Sequence, residues 1–260
     1  MKKIILSSIV ASTILLSSAN AGVILDFEAG AGTWNAAPSG HVNYGDKIEL
    51  ENDLGLKSSN NLYFYADFNH FVPLIPNVRI EKQELKVDAT GSLGSISFGT
   101  GTYNSATKTT IDLTQTDLIL YWGIPGLNLL TAGILDVNFG LDLKQFDGGV
   151  TLENSLTGTN KTTADMSFVV PMGYVSATID PPFIPATIGA SYKIISYKDS
   201  KLSEAMAKLS INLPIPIPLI DIKADIGYKE QVLTIDNSLS DNLTADIKFS
   251  GMFFGISAKF

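Results

Sequence analysis

A transmembrane, up-and-down antiparallel β-barrel of about ten strands is the all-β fold that this 260-residue sequence predicts. Three observations lead there. Apolar and polar residues alternate with period 2 along most of the chain, as strands with two unlike faces require. The connections alternate between short, apolar, proline-rich turns and longer polar loops, as in a chain that runs up and down. The chain also opens on an export signal.

The export signal comes first in the chain. Lys2 and Lys3 precede an apolar run from Ile4 to about Leu16, and the small-residue stretch Ala19-Asn20-Ala21 follows. That order predicts a signal peptide over 1–21, cleaved before Gly22, with the barrel domain over 22–260. The apolar run is shorter than the roughly 20 residues a spanning helix needs. No cysteine follows the cleavage site, so a lipid anchor has no attachment point. The chain carries a net charge of −8, and losing Lys2 and Lys3 makes it more acidic. Nucleic acid is therefore not an expected partner.

Alternation then recurs element by element. Val23, Leu25, Phe27, Ala29 and Ala31 share one face, opposite Asp26, Glu28, Gly30 and Gly32. Leu135, Val137, Phe139, Leu141 and Leu143 oppose Asp136, Asn138, Gly140, Asp142 and Lys144. Ala205, Ala207, Leu209 and Ile211 oppose Met206, Lys208, Ser210 and Asn212. Ile222, Ala224, Ile226 and Tyr228 oppose Asp221, Lys223, Asp225, Gly227 and Lys229. Weaker alternation covers 61–71, 78–88, 109–123, 163–178 and 186–198. The last strand, about 242–260, changes phase near Ser250-Gly251. Ala245, Ile247 and Phe249 are in step before it, and Met252, Phe254 and Ile256 after it. A β-bulge is the expected cause.

The four short connections are 71–77, 123–128, 180–186 and 213–220. They hold nine of the eleven prolines, which is allowed because a turn lies outside the hydrogen-bond ladder. The polar loops are 35–60, 89–108, 147–162, 199–203 and 236–241.

Alternation does not say which face meets which medium. A soluble, lipocalin-like barrel hides its apolar face, whereas a membrane barrel turns it to lipid. The apolar turns favour the membrane, since they would be awkward in water but suit a lipid interface. Aromatic residues at strand ends also favour it: Trp34, Phe71, Tyr121, Trp122, Tyr174, Phe183, Tyr197 and Phe260 are expected in interfacial girdles. Short turns at one end and long loops at the other complete the pattern.

The final strand, with apolar Phe254 and Ile256 at alternate positions and Phe260 last, resembles the carboxy-terminal signal of bacterial outer-membrane barrels. The resemblance implies that Phe254, Ile256 and Phe260 are read by the barrel-assembly machinery. GAGTWNA (30–36), ENDLGL (51–56), FNHFVPLIPNVRIE (68–81) and FSGMFFGISAKF also resemble an uncharacterised family of proteobacterial outer-membrane β-barrel proteins. Fold and outer-membrane location are what that resemblance implies, and membrane lipid and lipopolysaccharide are the partners expected there. No activity comes with it.

The lumen is the expected site. Asp26, Glu28, Arg79, Glu81, Asp136, Asp142, Lys144, Asp221, Lys223, Asp225 and Lys229 are expected to point inward as a charge network, together with Asp67, Asp165, Lys193, Asp246 and Lys248. Small barrels are filled by side chains, and wide channels need about 16 strands. A self-neutralised, filled core is expected, with a narrow, weakly cation-selective pore as the alternative. In the first loop, apolar Ile48, Leu50, Leu54 and Leu56 are expected to fold over the mouth or to extend a strand pair. Its acids Asp46, Glu49, Glu51 and Asp53 are candidate cation ligands.

Catalytic groupings are sparse. The chain has no cysteine and two histidines, His41 and His70. His41 with Asp46 is the one candidate pair for a membrane-embedded hydrolase. The histidines lack metal-ligand spacing, so neither a metal nor another cofactor is expected.

Overall fold

In the computed structural model, which describes residues 25–70, 72, 74–92, 96–103, 106–154, 161–237 and 243–260, the alternating segments close into a ring. The expected signal peptide and Phe71 lie outside the described residues. In chain order the elements are β1 (Leu25–Asn43), β2 (Lys47–Glu49), β3 (Ser59–His70), β4 (Asn77–Gln83), β5 (Lys86–Ser92), β6 (Ile96–Phe98), β7 (Gly101–Tyr103) and β8 (Ala106–Gly123). There follow α1 (Leu127–Leu130), β9 (Leu135–Asn154), β10 (Thr162–Asp165), β11 (Val169–Ile179), β12 (Ala186–Tyr197), β13 (Ser200–Asn212), β14 (Asp221–Ile235) and β15 (Thr244–Lys259).

Ten staves make the wall, all antiparallel to their neighbours. β4 and β5 are successive halves of one stave along β8, and β10 and β11 are halves of another along β9. β1 pairs with β15 from Glu28–Lys259 up to Asn43–Thr244 and closes the ring, while in the outer half β5 and β10 are each paired on one side only. The short turns and both ends of the barrel domain lie together, and the long loops lie at the far end. These are called the inner and outer ends below.

The faces of the wall change character half-way along. On β9 the outward positions run Leu135, Val137, Phe139, Leu141 and Leu143, then Gln145, Asp147 and Glu153. The inward positions run Asp136, Asn138, Asp142 and Lys144, then Phe146, Val150 and Leu152. β15 does the same. Met252, Phe254 and Ile256 face outward near the inner end, and Ala245, Ile247 and Phe249 face inward near the outer end. The inner half is thus apolar outside and polar inside. The outer half is polar outside with an apolar core, like a soluble barrel.

This inversion replaces the expected bulge. Ala37 pairs with Ser250 and Trp34 with Phe253 at the same register offset, although Asn35 and Ala36 between them make no pair with β15. On the other side Glu230, Lys229 and Tyr228 meet Ser250, Gly251 and Met252 in sequence. No residue is inserted. Side chains keep strict alternation, and what slips phase is the medium each face meets. Asp246 and Lys248 accordingly point outward, against expectation, and Lys248 pairs with Glu230 on the outside at 2.6 Å. Asp165, beside inward Ala164, is also outward.

The outer core is continuous. Trp34, Leu85, Phe98, Ile111, Leu113, Phe146, Leu152, Ile247 and Phe249 form its body. The first loop completes it from above, since Ile48, Leu50, Leu54 and Leu56 are all at most 3% exposed. Both expectations for this loop hold: β1 runs on to Asn43 and pairs with β2, and the chain then turns inward. Leu50 N–H donates to Gly40 O at 2.9 Å. Gly40 has φ of 97°, and a Cβ there would strike the Asp246 carbonyl, so this crossing requires glycine. The β6–β7 hairpin adds Phe98 and Tyr103. Tyr103 Oη donates to Leu152 O at 3.1 Å, and Gly99 N–H donates to Tyr44 O at 2.6 Å. Each fully buried large apolar side chain contributes about 1.5–3 kcal/mol.

Candidate functional site: the charged lumen

Below the apolar core, inward positions of the wall bring together lysines and acids from six staves. Lys193 Nζ on β12 sits at the centre. It lies 2.5 Å from Asp117, 2.7 Å from Glu81, 3.3 Å from Glu204 and 3.5 Å from Asp142. Lys144 bridges Asp117 at 2.6 Å and Glu204 at 3.1 Å. Lys229 reaches Glu204 at 3.2 Å, donates to Gln83 Oε1 and lies 5.4 Å from the centre of the Trp34 ring. The Gln115 and Gln231 amides exchange hydrogen bonds of 2.9 and 3.2 Å across the lumen where the layer meets the apolar core. Among the described residues, neither Asp142 oxygen nor Asp117 Oδ1 has a hydrogen-bond partner.

The layer is nearly neutral by composition, with three lysines against four acids and Arg79 just beneath. Arg79 donates to Glu81 at 2.6 Å, to Asp67 at 3.0 Å and to Tyr63 Oη at 3.0 Å, and lies over the Tyr65 ring at 4.1 Å. Burying this many charges is tolerable only when each finds a partner. Glu81, Asp117 and Glu204 converge as a metal site would. Lys193 bonds all three, so the protein's own ammonium stands where a cation would sit.

Beneath the layer the lumen widens into a cavity of about 330 Å³ lined by Glu28, Asp67, Asn138, Tyr174, Lys208 and Lys223 among others. Its ion pairs are looser. Lys223 is 3.6 Å from Glu28, and Lys208 is 3.7 Å from Asp225 and 4.0 Å from Glu28. At the inner rim Asp26 meets Lys259 at 3.0 Å, both half-exposed.

All eleven residues expected in the network occupy inward register positions, but they do not form one network. Glu81, Asp142, Lys144 and Lys229 join the buried layer, with Arg79 against its underside. Glu28 and Lys223 line the cavity, and buried Asp225 accepts from the lining residue Ser210 through its Oγ at 2.5 Å. Asp26, Asp136 and Asp221 stand exposed toward the inner rim. Sequence reasoning missed Asp117, Glu204 and Lys208. Lys208 shares a polar face with Met206, Ser210 and Asn212, and following that face back two residues reaches Glu204.

The other candidates fall elsewhere. Asp46 accepts from Ser97 N–H at 2.7 Å, and His41 faces outward on β1, so the pair is not assembled. His70 holds its turn, with Nε2 3.1 Å from Pro76 O and Nδ1 accepting from Val72 N–H. Asp53 accepts from Glu49 N–H at 2.7 Å, and Glu49 pairs with Lys47. Trp34, Tyr121 and Tyr174 are not girdle residues. Trp34 is in the outer core, and the two tyrosines face the lumen with ring centres 6.0 Å apart. Trp122 does face outward, against Phe139. Phe183, Tyr197 and Phe260 are exposed. Phe260 N–H donates to Phe27 O at 2.8 Å and its ring packs on Phe27, while Phe254 and Ile256 face outward in the apolar belt.

A closed wall with an apolar belt around a charged lumen is stable only where the belt meets lipid. The protein is a transmembrane barrel of the outer membrane. Its inner end, with the short turns, is the periplasmic end. No protein-family model matches the chain, and no curated protein matches it. Solved outer-membrane proteins align along most of its length. The outer membrane protease OmpT from Escherichia coli covers 92% of this chain and 96% of its own, at 9% identity and a TM-score of 0.46. The β domain of the Bordetella autotransporter BrkA covers 91% and 99%, at 7% identity and 0.39. Neisserial surface protein A covers 91% and 97%, at 9% identity and 0.32.

Proposed function

We propose that this barrel is a closed structural or ligand-interaction protein of the outer membrane that works through its outer half and loops and conducts no solute. The observation that carries the reading is the double obstruction of the lumen, a buried ion-paired layer beneath a continuous apolar core. Ions crossing it would have to break the Lys193 cluster and then enter a dry interior. No catalysis is assigned to the barrel. Purified protein in a planar bilayer is expected to give no unitary current. Steady, cation-selective steps would overturn the reading and support a narrow channel, to which the acid-rich inner cavity would be the vestibule.

Lipopolysaccharide around the outer rim and the assembly machinery during insertion are the partners proposed. Phe260 closes the belt at the β1–β15 seam, so Phe260→Ser should lower the fraction of chains that insert. Heat-modifiable gel mobility of envelope fractions checks this. Wild-type insertion of the variant would remove Phe260 from the assembly signal.

A further inference from the structure

We propose that the four short turns are submerged in the inner leaflet, with their side chains against phospholipid acyl chains instead of in the aqueous periplasm. The inference rests on the transmembrane reading and goes beyond it, because membrane barrels ordinarily leave such turns in water.

The side chains make the first case. Leu74, Leu129, Leu130 and Phe183 are 87–95% exposed, and Leu219 is 76% exposed. Segments 71–76, 124–134 and 213–220 contain no Asp, Glu, Lys, Arg or His, and the 180–186 turn contains one charged residue, Asp180, which accepts from the Thr187 hydroxyl. The loops at the other end of the same staves are rich in charge. An apolar ring this exposed is costly in water. It also continues directly from the lipid belt, since the outward residues at the inner strand ends are Leu25, Val78, Trp122, Leu135, Ile179 and Ile222.

The belt's height makes the second case. On β9 it runs from Leu135 to Leu143 before Gln145 turns outward. At ~3.4 Å per residue and a tilt of ~40° that is about 21 Å. A hydrocarbon band is about 25 Å tall in such barrels. The missing height lies at the inner end, because the outer boundary is fixed by Gln145, Glu230 and Ser250.

The backbone makes the third case. Lipid offers no hydrogen bonds, so chain enters it at less cost the fewer donors it leaves unpaired. In 213–220, Pro214, Pro216 and Pro218 have no N–H at all. Leu213 donates to Ile222 O, Ile215 to Leu213 O, Ile217 to Ile215 O and Ile220 to Ile217 O. In the 124–134 turn the N–H groups of Ile124, Leu127, Leu130, Thr131, Ala132, Gly133 and Ile134 are all bonded within the chain. The Thr131 hydroxyl donates to Leu127 O at 2.9 Å. In the 180–186 turn, Pro181, Pro182 and Pro185 lack donors, and Ile184 and Ala186 donate within the turn. The N–H groups of Gly126, Asn128, Leu129, Phe183 and Leu219 have no partner among the described residues, so this economy of donors is partial. It explains why prolines gather in an apolar setting.

The chain has no cysteine, so single-cysteine variants can carry one nitroxide each. Leu74→Cys, Leu130→Cys and Phe183→Cys probe three turns, with Phe254→Cys as a belt control and Lys248→Cys as an aqueous control. Folding of each is verified by heat-modifiable gel mobility after reconstitution into phosphatidylethanolamine–phosphatidylglycerol vesicles. The turn labels are expected to be relaxed by oxygen more than by a nickel chelate, as at Phe254, with Lys248 showing the reverse. Turn labels relaxed mainly by nickel, with Phe254 still in lipid, would overturn the inference alone. Dipolar broadening between turn labels would place a second copy there and overturn it as well. Nickel access at Phe254 too would overturn the membrane reading beneath it.

Discussion

Lys193→Met is expected to lower the thermal midpoint of the barrel in detergent far more than any lysine change nearer the inner rim. The substitution removes the cation shared by four buried carboxylates. Glu81 keeps Arg79, and Asp117 and Glu204 keep Lys144. Asp142, fully buried and without a hydrogen bond, loses its one ion-pair partner among the described residues. Leaving one buried charge uncompensated costs about 3–5 kcal/mol. Lys223→Met should do much less, because Lys223 lines the open cavity and has one 3.6 Å contact, to Glu28. Adding Asp142→Asn to Lys193→Met should restore much of the loss, which a double-mutant cycle reads directly. Equal midpoints for the Lys193 and Lys223 variants would refute the layered lumen, and a new current from the Lys193 variant would reopen the channel reading.

Along β15, sensitivity to substitution should change faces at Ser250. Ile247 is fully buried in the outer core, and Ile247→Ala should cost about 2–5 kcal/mol through lost contacts and a cavity. Its neighbours face water. Asp246→Ala should stay within about 0.5 kcal/mol, and Lys248→Ala should lose at most the ~1 kcal/mol of a surface ion pair. Nearer the inner end the outward face becomes the sensitive one. Ile256→Lys should cost about 2–4 kcal/mol if the residue sits at mid-membrane depth. Urea unfolding of the reconstituted set tests the pattern. A wild-type midpoint for Ile247→Ala, or a large loss at Asp246, would contradict the inverted outer half.

Strand number and direction were legible in the sequence because both follow from local pattern. Period-2 alternation marks strands, and turn chemistry marks which end of the barrel each connection occupies. The fate of Ile48, Leu50, Leu54 and Leu56 was legible too, since four large apolar residues in one loop must find cover. What pattern does not carry is the medium on each side. The phase change at Ser250 therefore resembled a bulge, and only the continuous pairing of Tyr228, Lys229 and Glu230 with Met252, Gly251 and Ser250 shows that the surroundings change instead. The same blindness put Trp34, Tyr121 and Tyr174 in a girdle. Tyr121 lies near a strand end but on the inner face, and Trp34 and Tyr174 lie mid-strand, so an aromatic in an alternating run advertises neither its face nor its depth. Asp117 escaped notice because its side of β8 mixes Ile111, Leu113 and Ile119 with Gln115, so alternation there is faint. Its partner Lys193 lies 76 residues away, a distance no local pattern spans.

The inversion at mid-barrel also orders the events of assembly. The outer half presents Lys108, Asp147, Asp246 and Lys248 on its outside, and these tips must be carried across hydrocarbon before they reach water. While a strand is crossing, Ile247 and Phe249 have no interior to enter, because the staves that will surround them have not arrived. The outer core is therefore expected to consolidate last, after translocation of the tips. Interactions that form after the rate-limiting step mainly set how slowly a protein unfolds. The buried cluster of Ile247, Phe249 and Leu50 accordingly acts as a latch. Once it has condensed on the far side, retreat through the membrane would require dissolving a hydrophobic core and dragging charges back through lipid, which makes insertion effectively one-way.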